Sequence, residues 1–359
     1  MNLLFGMKDI GGANAVIPVA CKATEENDFR ALLYCDGVSY ERFNGAYPVI
    51  SSKCDPGQVI DWLKPNAVIT TTCSPEGNLV VPVNFVKAVR SKGVPVVAVQ
   101  DFWGSGMSVK WDVWPDKMCV QDNLAKNLLL SSWKEYNPDD VVVTGQPAFD
   151  YLGQIDCNAA QSKLREKLQL YENWPIIHLS GGFKGTAEAV EWTVKALNKL
   201  QWPVYLIVRY HPRMTRAEAP PDWKEIYEKC RDLPSQLKYG QVVDSSSLSS
   251  SEVNTGADVI IGIYSTLLVE GCYLRKDCIS IVTPEAKAYF EMETANMLSE
   301  FPPSTLSACY SVENLTGLVN VLGRIRQYRH FLLIHQNRHF VSDGQSAQRV
   351  LGVINSVRI

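Results

Sequence analysis

Short apolar runs alternate with longer helical patterns along almost the whole chain of 359 residues, and this alternation limits its fold more than any other feature. Most runs are continuously hydrophobic, which is typical of strands buried on both faces of a parallel sheet. Strand and helix in repeated succession predict an α/β fold. The predicted strands are Leu3–Gly6, Ala31–Cys35, Ala67–Thr71, Pro95–Gln100, Lys117–Gln121, Val141–Thr144, Pro175–Ser180, Val204–Tyr210, Leu237–Val243, Asp258–Ile263 and Asp277–Val282.

Eleven strands are too many for one comfortable doubly wound sheet, since open sheets rarely exceed about ten strands. The Gly and Pro of Thr144-Gly145-Gln146-Pro147 indicate a turn or linker between two groups of strands. We therefore expect two Rossmann-like lobes facing a central cleft, with ligands at the carboxyl ends of the strands. Helices are predicted near 13–25, 56–64, 79–92, 122–134, 158–169, 186–200, 222–231, 265–274, 312–334 and 345–357, with Asp343 as the N-cap of the last.

Composition and charge exclude several classes of protein. With 46% hydrophobic and 20% charged residues the chain is not disordered, and its net charge of −3 gives no bulk attraction to a polyanion. The ten cysteines show no zinc-ligand spacing and are expected to be reduced thiols, most of them buried. No leader and no apolar stretch of membrane-spanning length is recognised, so a soluble, cytoplasmic protein is expected.

The first candidate binding motif, Leu179-Ser180-Gly181-Gly182-Phe183-Lys184-Gly185-Thr186, joins a strand to a helix. Its glycines permit a close approach of the backbone to a ligand, and the helix start offers free N–H groups for an anion. Lys184 adds a positive charge. The alternative is an ordinary strand-to-helix turn, since the motif is neither a Walker motif nor a dinucleotide fingerprint.

The second motif, Val208-Arg209-Tyr210-His211-Pro212-Arg213, ends an apolar strand. Arg209 and Arg213 carry guanidinium groups that match phosphate oxygens, and His211 can donate to phosphate or act as an acid. The alternative is a charged strand end with a chance histidine. Two cations around a His-Pro strand end favour a functional role.

The third motif runs from Ala257 to Glu270 and ends a buried strand in small polar groups at a helix start. Ser265 and Thr266, which follow Tyr264, are expected either to cap that helix or to bind phosphate. Glu270 lies one turn further on and is a candidate acceptor for ribose or sugar hydroxyls. The alternatives are a simple N-cap and an exposed helix residue.

These three motifs, in this order and spacing, resemble the nucleotide-binding lobe of GT-B-fold glycosyltransferases, near the CDP-glycerol glycerophosphotransferase and UDP-N-acetylglucosamine 2-epimerase branches. The similarity extends over roughly 141–355 and includes Thr144-Gly145-Gln146-Pro147-Ala148-Phe149-Asp150 and Asp343-Gly344-Gln345-Ser346-Ala347-Gln348-Arg349, which resemble the interdomain segment and the start of the C-terminal helix. Gly262 departs from the pattern, because these relatives often carry Asp there. The resemblance implies that the nucleotide diphosphate and its sugar are held by Gly181, Arg209, His211, Ser265, Thr266 and Glu270.

The resemblance also implies a division into an acceptor lobe, 1–145, a donor lobe, 146–340, and a C-terminal helix, 341–359, that packs back toward the first lobe. In the first lobe, Asp9, Glu76 and Asp101 each follow a predicted strand and are candidate general bases. Asp101 is preferred, because Phe102 and Trp103 are expected to raise its pKa by desolvation and to offer an apolar platform for the acceptor. The alternative for all three is an ordinary loop or cap residue.

The sequence thus predicts a glycosyltransferase that moves a sugar from a UDP-linked donor to a hydroxyl acceptor. No acidic metal motif is evident, so neither a metal nor a cofactor is expected, and the nucleotide-sugar is a substrate. A polyol-phosphate transferase or nucleotide-sugar 2-epimerase remains an alternative, as does a non-catalytic binding protein, which Gly262 favours. The acceptor stays open among a glycan, a lipid-linked sugar, a small molecule and a modified nucleobase.

Overall fold

The chain divides into two compact units, and each unit is made of more than one segment of the sequence. The computed structural model describes residues 2–7, 10–26, 30–35, 39–40, 48–51, 53–72, 80–105, 113–216, 218–294, 296–341 and 343–357. The first unit comprises Met1–Tyr151, Glu293–Met297 and Asp343–Ile359, and the second comprises Leu152–Met292 and Leu298–Ser342. The predicted α/β fold with two lobes is confirmed.

The first unit is built on a seven-stranded parallel sheet in the order β3-β2-β1-β4-β5-β6-β7. The strands are β1 Asn2–Met7, β2 Arg30–Cys35, β3 Val49–Ser51, β4 Ala67–Thr71, β5 Val96–Val99, β6 Lys117–Val120 and β7 Val141–Val143. The helices are Ile10–Glu25, Pro56–Leu63, Val80–Ser91, Asn123–Ser132 and Ser346–Ser356, with one-turn or short 3₁₀ helices at Pro138–Asp140 and Pro147–Gln154.

The second unit is built on a six-stranded parallel sheet in the order β10-β9-β8-β11-β12-β13. The strands are β8 Ile176–Gly181, β9 Tyr205–Tyr210, β10 Gln241–Val242, β11 Val259–Gly262, β12 Asp277–Ile281 and β13 Tyr310–Val312. The helices are Cys157–Lys167, Thr186–Leu200, Pro212–Thr215, Pro221–Cys230, Ser250–Gly256, Thr266–Tyr273, Pro284–Glu293, Pro302–Thr305, Leu315–Gln327 and Leu333–His339, with a 3₁₀ turn at Leu233–Gln236.

The continuously apolar runs became central strands, as predicted. Leu3, Leu4 and Phe5 of β1 are all fully buried, as are Ile260 and Ile261 of β11, so both faces of each sheet are covered. Two strands, β3 and β13, were not predicted, and both are three-residue edge strands. The prediction that a helix begins at Val312 is therefore wrong: that residue ends β13, and two helices follow it where one was expected.

Strand order places a topological switch point in each sheet. In the second unit the chain runs from β8 to β9 on one side, and later adds β11 on the other side of β8. The helices that follow β8 and β11 therefore lie on opposite faces of the sheet, while the two turns that lead into them stay next to one another. In open α/β sheets the carboxyl ends at such a point form the usual ligand site.

The last helix, Ser346–Ser356, belongs to the first unit and packs on Ile10–Glu25. It contributes Val350, Leu351 and Ile354 to the core beneath the first sheet. The expected packing of a C-terminal helix toward the first lobe is confirmed.

The cap of this helix comes from a different residue than predicted. Asp150 accepts from the backbone N–H groups of Ser346 and Ala347, at 3.0 and 2.8 Å. Asp343 instead pairs with Arg349, whose Nε donates to the Thr144 carbonyl oxygen at 2.6 Å. The segments 144–150 and 343–349, which both belong to the family resemblance, thus contact one another. Asp150 could not be predicted as the cap, because the sequence alone suggests only residues that directly precede the helix.

The cysteines described by the structure are free thiols, and Cys35, Cys119, Cys230, Cys272, Cys278 and Cys309 are buried. Burial raises the pKa of Cys35 to about 11 and that of Cys119 to about 12. In the described part of the chain, no helix has the length and apolar character needed to span a membrane.

Candidate functional site

Three of the sequence motifs end on neighbouring strands of the second sheet. Ser180 of β8 pairs with Arg209 of β9 on one side and with Gly262 of β11 on the other. The turn after β8 also approaches the turn after β11, because a Cβ at Gly182 would lie 3.5 Å from the Ile263 carbonyl oxygen. The structure therefore brings the three motifs together at one edge of the sheet, beside the switch point.

The turn after β8 requires glycine at two positions. A Cβ at Gly181 would come within 2.9 Å of Thr186 Cγ2, and Gly185 has a φ of +81°, which L side chains rarely adopt. Gly185 is the N-cap of helix Thr186–Leu200 and supplies no side-chain cap. The Thr186 hydroxyl is buried and has no hydrogen-bond partner among the described residues. Donor groups at this helix start are thus left for a ligand.

The turn after β11 is set by a left-handed residue. Tyr264 has a φ of +43°, a conformation that costs a non-glycine residue about 1 kcal/mol or more and that concentrates at functional sites. Its ring stacks on Phe290 with centroids 4.0 Å apart, and its buried hydroxyl has no partner in the described part of the chain. The next residues are Ser265, which caps helix Thr266–Tyr273 through Leu267 N, and the exposed Thr266.

Glu270 belongs to a buried polar chain that the sequence did not reveal. The side-chain amide of Asn254 donates to the Leu267 carbonyl oxygen at 2.9 Å and to Glu270 Oε2 at 3.2 Å. Because these two contacts fix the amide orientation, Asn254 Oδ1 accepts from His178 Nδ1, 3.1 Å away. His178 Nε2 is buried and has no partner among the described residues.

Burial shifts both titratable members of this chain. Desolvation raises the pKa of Glu270 to about 7, although the Asn254 hydrogen bond opposes the shift. Desolvation lowers the pKa of His178 to about 4, so this histidine is neutral at physiological pH. The pKa of Glu270 is thus moved toward physiological pH, and a carboxyl group in that range can donate to or accept from a hydroxyl group.

The Arg209 guanidinium group donates hydrogen bonds to other residues of the second unit. Its Nε donates to Ser250 Oγ at 3.1 Å, and its Nη1 donates to the carbonyl oxygens of Ser245 and Leu248 at 2.8 and 2.9 Å. The guanidinium group therefore fixes the loop that leads into helix Ser250–Gly256, the helix that carries Asn254. Its contact with a ligand, which the family resemblance implies, stays a prediction.

His211 is exposed and sits in an aromatic and cationic surface. Its Nδ1 accepts from Arg213 N at 3.1 Å, and partial burial, Arg213 and Arg216 all lower its pKa. Its ring lies 5.1 Å from that of Trp223, which also faces the Arg213 guanidinium at 5.7 Å.

The same surface reaches the turn after β8. Phe183 stacks on Trp223 with centroids 4.1 Å apart, and Lys184 Nζ lies 5.0 Å from the Phe183 ring centroid. Lys184 also forms an ion pair with Glu285 at 3.2 Å, with both side chains partly exposed. The aromatic rings had not been assigned a role from the sequence, since Trp223 lies on a helix outside all three motifs.

One candidate base can be located in the first unit. Asp101 follows β5, and its Oδ1 accepts from the Thr72 hydroxyl at 2.8 Å. The Trp103 ring is only 2% exposed, and its Nε1 donates to the Asp122 carboxylate at 3.0 Å, so the expected role of this ring as an acceptor platform is wrong. Asp9 and Glu76 lie outside the described residues. No cluster of three or more metal-ligating side chains occurs within the described ranges.

The fold can be compared with known proteins once this geometry is established. No family model and no curated protein sequence matches the chain. A UDP-GlcNAc 2-epimerase from Neisseria meningitidis, bound to UDP-GlcNAc, superposes with a TM-score of 0.66 and 11% identity over 99% of this chain and 100% of that one. MurG from Acinetobacter baumannii gives 0.61 and 14% over 99% and 100%, and a glycosyltransferase from Rickettsia africae gives 0.63 and 15% over 99% and 98%.

This chain has the GT-B fold. The predicted fold class is thereby confirmed, and the resemblance stated from the motifs is confirmed at the level of the fold. A GT-B chain at this level of identity shares an architecture with these enzymes, and its own activity has to be argued from its site.

Proposed function

We propose that this GT-B protein transfers a sugar from a nucleotide-linked donor, with UDP as the expected nucleotide, to a hydroxyl acceptor. One observation carries the proposal: Asn254 holds Glu270 on the helix that starts after β11, and this helix start and the one after β8 flank a switch point. A buried carboxyl group flanked by anion-binding helix ends matches the hydroxyls and the phosphates of a nucleotide. The Neisseria structure, which holds UDP-GlcNAc, supports this choice of ligand.

In the proposed complex, the diphosphate lies against the starts of helices Thr186–Leu200 and Thr266–Tyr273. Backbone N–H groups of Gly182 and of the helix starts, together with Ser265 and Thr266, donate to its oxygens. Lys184, His211 and Arg213 add positive charge, which stabilises the charge that grows on the diphosphate as the sugar leaves. Glu270 binds ribose or sugar hydroxyls.

The acceptor hydroxyl must lose a proton as the new bond forms. We assign this step to Asp101, Asp9 or Glu76, with Asp101 preferred, because each follows a strand of the first sheet. Asp101 is held by Thr72, so its carboxylate has a fixed orientation. The charge on the departing diphosphate is balanced by protein groups in this scheme, and no step requires a divalent ion.

Nucleotide binding is tested with a thermal-shift panel of nucleoside diphosphates and nucleotide-sugars. A ligand at 100 times its Kd adds about 2.7 kcal/mol of stability. Ser265→Ala removes a helix cap inside the proposed site, and Asn314→Ala removes one at helix Leu315–Gln327, outside it. Both should lose about 1 kcal/mol of stability, but only Ser265→Ala should weaken nucleotide binding. Equal affinities in the two variants, or no nucleotide binding in the wild type, contradict the proposal.

A second candidate, a nucleotide-sugar 2-epimerase, is favoured because several solved neighbours, including one from Methanocaldococcus jannaschii, are UDP-GlcNAc 2-epimerases. Incubation of UDP-GlcNAc with the protein, with and without an acceptor, separates the reactions. An epimerase changes the sugar without an acceptor, whereas a transferase moves the sugar onto the acceptor hydroxyl and releases UDP. Saturable binding with no product under either condition indicates a binding protein. Gly262 supports that third outcome, because the carboxylate often found there in the relatives is missing.

A further inference from the structure

A cavity lies at the opposite end of the strands that carry the candidate site. It has a volume of about 390 Å³ and is lined by residues that include Cys157, Asp258, Lys276, Arg329, His330 and Leu333. Asp258 and Lys276 directly precede β11 and β12, so the cavity is at the amino ends of these strands. The four residues of β11 separate the cavity from the turns at the carboxyl ends. This distance is about 13 Å, since a strand rises about 3.3 Å per residue. One small ligand therefore cannot occupy both sites.

Lys276 is the unusual member of this lining. Lys276 is only 8% exposed, and its ammonium group has no hydrogen bond or ion pair within the described part of the chain. Its backbone is fixed on both sides, since its N–H donates to the Gly271 carbonyl oxygen and its own carbonyl oxygen accepts from Gln336 Nε2. The main chain thus fixes the position of Lys276 in the cavity lining.

The remaining charges of the cavity are mostly paired. Arg329 donates to the Asp258 carboxylate at 2.6 Å, and Asp258 also accepts from Ile176 N. The Arg275 guanidinium is occupied by four acceptors, the side chain of Asn337 and the carbonyl oxygens of Cys272, Tyr273 and Phe340. Asp258 balances one of the three cations, so the lining keeps an excess of positive charge.

An ammonium group without an ion pair is costly on a residue with so little exposure, because few waters can solvate it. Burial lowers the pKa of Lys276, while Cys157 and Asp258 oppose the shift and Arg329 adds to it. Apart from Cys278, the charged groups that act on this amine belong to the cavity lining. A ligand that brings a negative charge would remove the cost.

We propose that this cavity is a binding site for a small organic oxyanion, a phosphate or carboxylate attached to a compact body, and that Lys276 is its direct ligand. The volume suits a small molecule, since ligand pockets begin near 300 Å³. Leu274 and Leu333 supply apolar wall, and the exposed Asn158 and His330 add polar groups at the rim. The proposal does not depend on the activity of the carboxyl-end site.

The test compares three forms of the full chain by isothermal titration with inorganic phosphate and with acetate. Lys276→Met removes the amine and keeps the chain length, and Lys163→Met makes the same charge change at an exposed residue that is not part of the lining. Anion binding at the helix starts of the other site is common to all three forms. We expect the Kd to rise about tenfold or more in Lys276→Met only. The stronger of the two probes identifies the oxyanion class.

A second measurement uses the wild-type protein, so that it stands if Lys276→Met does not fold. Acylation by acetic anhydride is mapped by mass spectrometry with and without the stronger anion. The anion should slow modification of Lys276 at least several-fold and leave Lys163 unchanged. Equal affinities in both variants, no wild-type binding at millimolar anion, or equal acylation with and without anion would each overturn the proposal.

Discussion

The Glu270→Gln variant should be more stable than the wild type at alkaline pH and no more stable at pH 4.5. Burial raises the pKa of Glu270 from an ordinary 4.5 to about 7. Below pH 4.5 the carboxyl group is protonated in both the folded and the unfolded chain, so it costs nothing. As the pH rises from 4.5 to 7, the unfolded chain releases this proton first, and the free energy of unfolding falls.

The size of the effect follows from the shift. Each pKa unit corresponds to 1.36 kcal/mol, so about 2.5 units give about 3 kcal/mol as an upper value above pH 7. Glutamine keeps the shape and the oxygen that accepts from Asn254, but it carries no charge at any pH. We therefore expect Glu270→Gln to gain about 1–3 kcal/mol at pH 8.5 and to weaken nucleotide binding at the same time.

The assay is urea unfolding at pH 4.5, 7 and 8.5, with hydrogen exchange of the β8 and β11 amides to report the second unit by itself. Glu166→Gln is the matched control, because Glu166 is exposed on helix Cys157–Lys167. This control should change stability little at any of the three pH values. A gain in Glu270→Gln that is the same at pH 4.5 and 8.5, or a loss at pH 8.5, would refute the argument.

Three further predictions concern the transfer reaction and the first unit. His211→Ala should lower turnover or donor affinity by on the order of 3 kcal/mol in the transition state, and the protein should stay folded because His211 is exposed and caps only a four-residue helix; full activity with the correct donor would exclude it from the mechanism. Asp150→Ala should destabilise the first unit by about 1–2 kcal/mol, measured by thermal melting, and more than Asp343→Ala does, whose partly exposed pair with Arg349 contributes less. Activity should survive a chelator, and one of Asp101→Asn, Asp9→Asn and Glu76→Gln should abolish turnover; loss with chelator, or full activity in all three variants, contradicts the mechanism.

Central elements of the fold could be predicted because burial on both faces leaves a signal in the sequence. The edge strands β3 and β13 could not, since three half-covered residues give neither an apolar run nor a clear alternation. Helix Ser250–Gly256 was also missed, because the serines that precede it resemble a loop. Its start does carry the Ser-x-x-Glu pattern of a capping box, Ser249 and Glu252, which is the signal that was available.

The candidate site shows a similar limit. Residue type and position at strand ends were enough to bring Ser180, Arg209 and Ser265 to one edge of the sheet. They could not show that Arg209 donates hydrogen bonds to loop carbonyl oxygens, because those acceptors are 36 and 39 residues away in sequence. Nor could they link His178 to Asn254, because the two are 76 residues apart and neither belongs to a recognisable motif.

The contact between Asp150 and the last helix has a consequence for the order in which the chain is made. The sheet of the first unit is complete at Val143, but the helix that covers Val16 and Val19 starts 196 residues after Asp150. A ribosome adds about 5–20 residues per second, so the second unit emerges during an interval of about 10–40 s in which this apolar face has no cover. The lobe that is synthesised first is thus the lobe that finishes folding last, and the growing chain has to be kept from aggregating through that face until its final helix is released.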